Sequence, residues 1–251
     1  MESTLFIALG VSVGFNLFLF CIAYFLQTDK VTDFSYSLCF FVINGVGFYL
    51  SDRGSIDLIM FLLISVWTFR LGGYLFIRIM HMGRDARFDK FRKKLISFLF
   101  FWVVQAVSIF IISLSFLIFY DTNNGIAYPS FWIGVSIAII GLIIESIADH
   151  QKFQFKKKNP NTFIQSGLWK TIRHPNYTGE ILFWIGIFVS TFSYITEWQW
   201  IALLSPLWII FLLVKFSGIP PLEEKWAEKY GDNSSFLEYK EESYRLIPGL
   251  Y

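Results

Sequence analysis

Apolar residues run through this sequence in long blocks separated by short polar segments. Blocks long enough to cross about 30 Å of hydrocarbon at about 1.5 Å per residue lie near residues 3–26, 35–50, 56–80, 95–120, 129–149, 178–195 and 199–216. The pattern predicts an all-α integral membrane protein, a multi-pass bundle of about seven transmembrane helices. The second block is short and only Ser193 to Gln199 separates the last two, so six crossings with one re-entrant element also fit. No repeat, low-complexity segment or linker marks a second domain, and 1–251 reads as a single membrane domain.

Composition agrees: 55% of residues are hydrophobic and 16% charged, against about 25% charged in soluble domains. An aromatic content of 20% suits lipid-facing helices with interfacial anchors. The net charge of +2 does not point to nucleic acid, because the basic residues fall in loops between blocks. Cys21 and Cys39 lie inside apolar blocks without metal-ligand or disulfide spacing, so both are expected to be small buried residues and no metal site is expected. No Lys or Arg precedes the first block, which is therefore expected to stay as a helix and not to be cleaved as a leader.

Charge placement orients the bundle. Arg84, Arg87, Lys90, Arg92, Lys93 and Lys94 lie in one loop, and Lys152, Lys156, Lys157, Lys158, Lys170 and Arg173 in another. The opposite side keeps only Arg53. Basic loops stay in the cytosol, which predicts an N-terminus outside and a C-terminus inside.

Ionisable groups inside the blocks need compensation, since each costs about 2.5 to 3.5 kcal/mol at bilayer depth on insertion scales. Arg70, Arg78, Glu145, Asp149, Glu180 and Lys215 are such groups. Arg78 and Lys215 can snorkel to water from helix ends. Short carboxylates cannot, so Asp149 and Glu180 suggest a polar pocket reaching in from the cytosolic side.

The densest polar stretch is Gly167-Leu-Trp-Lys-Thr-Ile-Arg173-His174-Pro175-Asn176-Tyr177-Thr-Gly179-Glu180. A proline suits a first helical turn, whose exposed N–H groups favour an anion beside Arg173. Its plainest reading is a helix-entry loop. The segment nevertheless resembles the signature of sterol C14 and C7 reductases, and other segments extend the likeness. Thr28-Asp-Lys-Val-Thr-Asp33, Trp67-Thr-Phe-Arg70, Gly83-Arg84-Asp85-Ala-Arg87 and Ala148-Asp149-His-Gln151 are similar to bacterial membrane proteins of unassigned substrate in the steroid 5-alpha-reductase superfamily. The tail, from Glu223-Glu224 through Tyr239 to Tyr244-Arg245-Leu-Ile-Pro248, looks like the sterol-reductase ending.

The resemblance implies NADPH-dependent reduction of a carbon–carbon double bond in a lipid-soluble, steroid-like or isoprenoid-like substrate. It implies N-terminal helices 1–120 on the substrate side and a cofactor-binding part at 129–251. Cofactor contacts would come from Arg78, Arg84, Arg87, Asp149, Lys156, Arg173, His174, Asn176, Tyr177, Glu180, Tyr239 and Arg245, with Tyr74 in the same cavity. In steroid 5-alpha-reductases a Glu and a Tyr hold the enone. By spacing, Asp33 and Trp67 fall at those places. Trp donates a hydrogen bond but no proton, which puts a 3-oxo-steroid substrate in doubt. Asp33 also reads as an interfacial residue starting the second block. The bacterial branch implies the inner membrane, with endoplasmic reticulum as the other setting. Membrane lipid is the expected surrounding; neither nucleic acid nor an obligatory protein partner is inferred.

A rival resemblance is to S-adenosylmethionine-dependent isoprenylcysteine carboxyl and phospholipid methyltransferases, which share the Arg-His-Pro loop, an acidic pair and an Arg-x-Ile-Pro ending. Asn176, Glu180, the Asp149-x-Gln151 segment and the Gly83 to Phe88 loop lie outside that shared part and favour the reductases. A transporter would show repeats and mid-membrane charges; here the charges gather at one end.

Overall fold

The computed structural model describes residues 2–27, 32–82, 94–247 and 249, with the side chains of 2, 33 and 78–82 outside the description. The helices are α1 (Glu2–Phe25), α2 (Thr32–Leu50), α3 (Ser55–Met82), α4 (Leu95–Thr122), α5 (Pro129–Lys158), α6 (Pro175–Thr191), α7 (Leu204–Phe211), α8 (Ile219–Tyr230) and α9 (Ser234–Glu242). Among the described residues, five stretches are long and apolar enough to cross a membrane: Ser3–Phe25, Ser55–Ile77, Leu95–Thr122, Pro129–Lys158 and the helical run Glu197–Tyr230. Five such helices fit a multi-pass membrane protein. Phe34–Leu50 of α2 is apolar but shorter, and the 17 residues of α6 reach only about 25 Å.

Two ends differ from the apolar blocks. Helix α5 continues nine residues past 149 to Lys158, because Lys156, Lys157 and Lys158 suit the negative end of its dipole. Helix α6 starts at Pro175, where the ring's fixed φ and missing N–H cost nothing. The last block is irregular. It opens as a 3₁₀ run Glu197–Leu203 capped by Thr196 and Gln199, continues as α7, and widens to a π turn at Leu212–Phe216.

The chain divides into two compact units: 1–132 with 188–205, and 133–187 with 206–251. Residues 188–205 thus belong with the N-terminal helices.

In the N-terminal unit, uncharged polar side chains tie apolar helices together. Gln105 Nε2 donates to Asn16 Oδ1 at 2.9 Å and to Ser35 Oγ at 3.1 Å, joining α4, α1 and α2. Tyr120 donates to Asn44 Oδ1 at 2.8 Å, and Asn44 Nδ2 donates to the Phe61 carbonyl at 3.0 Å. Ser205 donates to the Ile112 carbonyl at 2.6 Å and Ser115 to that of Ala202 at 2.9 Å. Between apolar helices in lipid, such bonds supply cohesion that hydrophobicity cannot. Cys39 is buried as expected, but Cys21 is exposed on α1, where an apolar surface meets lipid and needs no cover.

In the C-terminal unit, α5 and α6 approach until their backbones touch. A Cβ on Gly141 would lie 2.5 Å from the Phe183 nitrogen, and one on Gly179 would lie 2.5 Å from the Glu145 nitrogen. Small residues permit that approach. The contact sets Glu145 beside the first turns of α6.

Candidate functional site

The C-terminal unit folds the Gly167–Glu180 segment against the end of α5, helix α8 and the tail. Gly167 has φ of +62°, and a Cβ there would collide with the Gln151 side chain at 2.5 Å. Gln151 Oε1 accepts the Leu168 N–H at 3.0 Å, and Trp169 Nε1 donates to the Ala148 carbonyl at 2.9 Å. These bonds set a 3₁₀ turn, Gly167–Lys170, on α5. The tail then pairs with the following residues: Tyr244 N–H donates to the Thr171 carbonyl at 2.9 Å, Arg173 N–H to that of Tyr244 at 2.7 Å, and His174 N–H to that of Arg245 at 3.1 Å. Thr178 donates to the Leu246 carbonyl at 2.8 Å.

At the centre stands Glu223 of α8. Its Oε1 lies 3.3 Å from Arg173 Nε and 3.4 Å from His174 Nε2, and its Oε2 3.3 Å from Arg245. Arg173 is buried, and its guanidinium also donates to the carbonyls of Lys240 (2.7 Å) and Ser243. Buried guanidinium needs that many acceptors.

His174 is 1% exposed and stacks between Tyr177 and Trp226, with ring centroids at 5.6 and 5.2 Å. Burial pushes its pKa below the usual histidine value, opposed by its bond to Glu223 and assisted by Lys152 and Arg173. Lys152 Nζ sits 4.7 Å above the Trp169 ring. Tyr239 is buried and donates to the Trp169 carbonyl at 2.6 Å; burial raises its pKa to about 12.

Residues 19–243 match a family described as proteins of unknown function, DUF1295. The chain belongs to that family. No curated protein and no solved structure matches it.

In this DUF1295 member the sequence-predicted residues divide clearly. Arg173, His174 and Arg245 meet at Glu223, Tyr177 stacks on His174, and Tyr239 is bonded to Trp169. Arg173 bonds Glu223, Lys240 and Ser243 through its Nε and one terminal nitrogen, and Tyr239 bonds the Trp169 carbonyl, so both hold loop to tail. The crevice beside them, lined by Arg173, Glu223, Trp226, Phe236 and Lys240, has no room even for water. Arg245, with 40% of its side chain exposed, is the more accessible cation of the cluster. Asn176, Tyr177 and Glu180 are half-buried on the first two turns of α6, while Asp149 is buried on α5. Lys156 donates to the Thr162 carbonyl.

Trp67 and Tyr74 belong to the N-terminal unit. Trp67 is fully buried, edge-on to Phe40 at 5.2 Å, and Tyr74 lies under the Arg70 guanidinium at 5.8 Å. Arg84 and Arg87 lie outside the described residues, as do the side chains of Asp33 and Arg78. Glu223 was in the tail motif but not among the expected site residues. The signal for it was electrostatic: a buried Arg-His pair demands a carboxylate.

Proposed function

We propose that the protein is an oxidoreductase that uses NADPH to reduce a carbon–carbon double bond in a lipid-soluble substrate, steroid-like or isoprenoid-like. One observation carries the preference over a methyltransferase. Gln151, in the Asp149-x-Gln151 segment outside the motifs the two superfamilies share, is bonded to Leu168 and so builds the Arg-His-Pro loop.

The donor set fits such a cofactor in part. Asn176 and Glu180 offer an amide and a carboxylate suited to a carboxamide or ribose, and buried Asp149 offers a second acceptor for a ribose hydroxyl. Arg245 and Lys156 supply cations for phosphates. His174 and Arg173 act one step back, holding loop and tail in place. When bound, NADPH would supply a hydride to an electron-poor carbon. On the substrate side, Tyr74 has a hydroxyl that can hydrogen-bond a carbonyl and give up a proton, and Trp67 has a donor without a transferable proton. Asp33 is a third candidate there. The reading includes seven crossings, the N-terminus outside and the C-terminus in the cytosol, in a bacterial inner membrane.

The test is titration of the detergent-purified protein with NADPH and, separately, with S-adenosylmethionine, following cofactor fluorescence and thermal stability. Tight binding of NADPH alone is expected, weakened in Asn176→Ala and Glu180→Ala without loss of fold. Binding of S-adenosylmethionine alone, or unchanged NADPH affinity in both variants, would overturn the assignment.

A further inference from the structure

Lys152 of α5 is not among the residues expected at the site, yet it stands where three elements of the C-terminal unit meet. Its Nζ lies 4.7 Å from the ring centroid of Trp169, in the 3₁₀ turn, and 6.0 Å from that of Trp226, on α8. A cation over an indole face is attracted by the ring quadrupole, most strongly where water is excluded. Lys152 is half-buried, and both indoles pack in the apolar cluster that contains Ala148 and Ile164.

Trp226 carries the contact further. Its ring stacks on His174 with centroids 5.2 Å apart and planes 9° from parallel, and His174 stacks on Tyr177 at 5.6 Å and 10°. The three rings form one column from α8 through the loop to the first turn of α6. Tyr177 follows Asn176 directly and precedes Glu180 by one turn, so the column ends at the groups assigned above to the cofactor. Its other end meets Lys152, which follows Asp149 on α5 by about one turn. The Gln151–Leu168 and Trp169–Ala148 bonds tie the loop to α5 but touch neither α8 nor α6.

We propose that Lys152 is a positioning residue for the α5 and α6 groups of the NADPH site: its ammonium, shared by two indoles, fixes the ring column that sets Asn176 and Glu180 relative to Asp149. The inference rests on the cofactor assignment made above. The same charge acts on the imidazole inside the column. Burial is the main reason His174 resists a proton, Lys152 and Arg173 add to it, and Glu223 opposes them. The groups set around that ring are thus Lys152 from α5, Arg173 from the loop, Tyr177 from α6, and Glu223 and Trp226 from α8, with Arg245 of the tail acting through Glu223.

The experiment compares wild type with Lys152→Met, which keeps the length of the side chain without its charge, and with Lys152→Arg, which keeps a cation able to stack on indoles. Two quantities are read on the detergent-purified full chain. One is the dissociation constant for NADPH; the other is the histidine titration by NMR, with the His174 signal assigned by its loss in His174→Phe. Lys152→Met should weaken NADPH binding roughly fivefold, the effect of one cation–π contact that no longer holds the competent arrangement. It should also move the His174 midpoint to higher pH. Lys152→Arg should stay close to wild type in both. Lys157→Met, which removes an exposed charge from the same helix end, should change neither. Should Lys152→Met not fold, Lys152→Gln carries the same two readings.

An unmoved His174 midpoint or an unchanged NADPH affinity in the folded, uncharged variant would overturn the proposal. So would an equal loss in Lys152→Arg. A loss that disappears in about 0.5 M salt, where exposed charges are screened, would also overturn it, because that behaviour marks a phosphate ligand. If wild type binds no NADPH, the cofactor assignment fails, and the His174 titration then decides by itself whether Lys152 governs the column.

Discussion

Tyr239 gives its phenolic proton to the main-chain carbonyl of Trp169, across a sequence separation of 70 residues, at 2.6 Å. The bond fastens helix α9 to the 3₁₀ turn that opens the Arg-His-Pro loop. Both groups are buried, so loss of the hydroxyl leaves the carbonyl without water to replace it. Tyr239→Phe should therefore lower stability by about 1 to 3 kcal/mol, the desolvation cost of one unsatisfied buried acceptor. Thermal unfolding in detergent measures it. A melting temperature equal to wild type would mean the bond contributes nothing.

Glu223 should be far more sensitive than its neighbour. Removing its carboxylate leaves buried Arg173 without its carboxylate partner and releases His174. Breaking a buried pair costs about 3 to 5 kcal/mol, and the partly exposed Arg245 contact adds little to that because solvent screens it. Glu223→Ala should fall on the order of 3 kcal/mol, whereas exposed Glu224→Ala should stay within about 0.5 kcal/mol. Equal effects of the two substitutions would contradict the central place given to Glu223.

The contrast between those adjacent glutamates marks what the sequence could and could not tell. Membrane character was plain, because runs such as 95–120 leave no other use for so many apolar residues. The Arg173 to Glu180 segment was legible as a polar loop entering a helix, and Pro175 does open α6. What escaped were pairings set by tertiary contact. Nothing local distinguishes Glu223 from Glu224; only the approach of Arg173 and His174 does. Asn16, Asn44 and Gln105 were hidden for a similar reason. They carry no charge, so they pass within apolar blocks, and the partners that join them to other helices lie 17 to 89 residues away. The irregular last crossing was missed because 3₁₀, α and π turns share the same apolar composition.

Histidine titration gives a pH dependence of definite sign. His174 has a folded-state pKa below its unfolded value of 6.5, mainly through burial. The unfolded chain thus binds a proton more readily, and stability rises with pH over that interval. The His174 contribution is complete above 6.5 and is lost as pH falls from there through the lowered value. Melting temperatures between pH 8 and pH 5 should decline more steeply for wild type than for His174→Phe, which keeps a ring between Tyr177 and Trp226 but cannot titrate. Parallel curves would remove His174 as the cause.

The backbone contact between α5 and α6 predicts which glycines tolerate a methyl group. At Gly179 an added Cβ meets the Glu145 nitrogen at 2.5 Å and the Gly141 oxygen at 2.6 Å. Main chain cannot swing aside as a flexible side chain can, so the two helices must separate. Overpacking of this kind costs typically about 1 to 3 kcal/mol, and separation also shifts Glu145 relative to the helix that carries Asn176 and Glu180. At Gly73 of α3 an added Cβ meets nothing within 4 Å, and alanine has the better helix propensity by about 1 kcal/mol. Gly179→Ala should therefore lower the melting temperature and the yield of folded protein, and Gly73→Ala should leave both unchanged or raise them. If Gly179→Ala proved as stable as wild type, the close approach of α5 and α6 would be wrong, and with it the placement of the first turns of α6 beside Glu145.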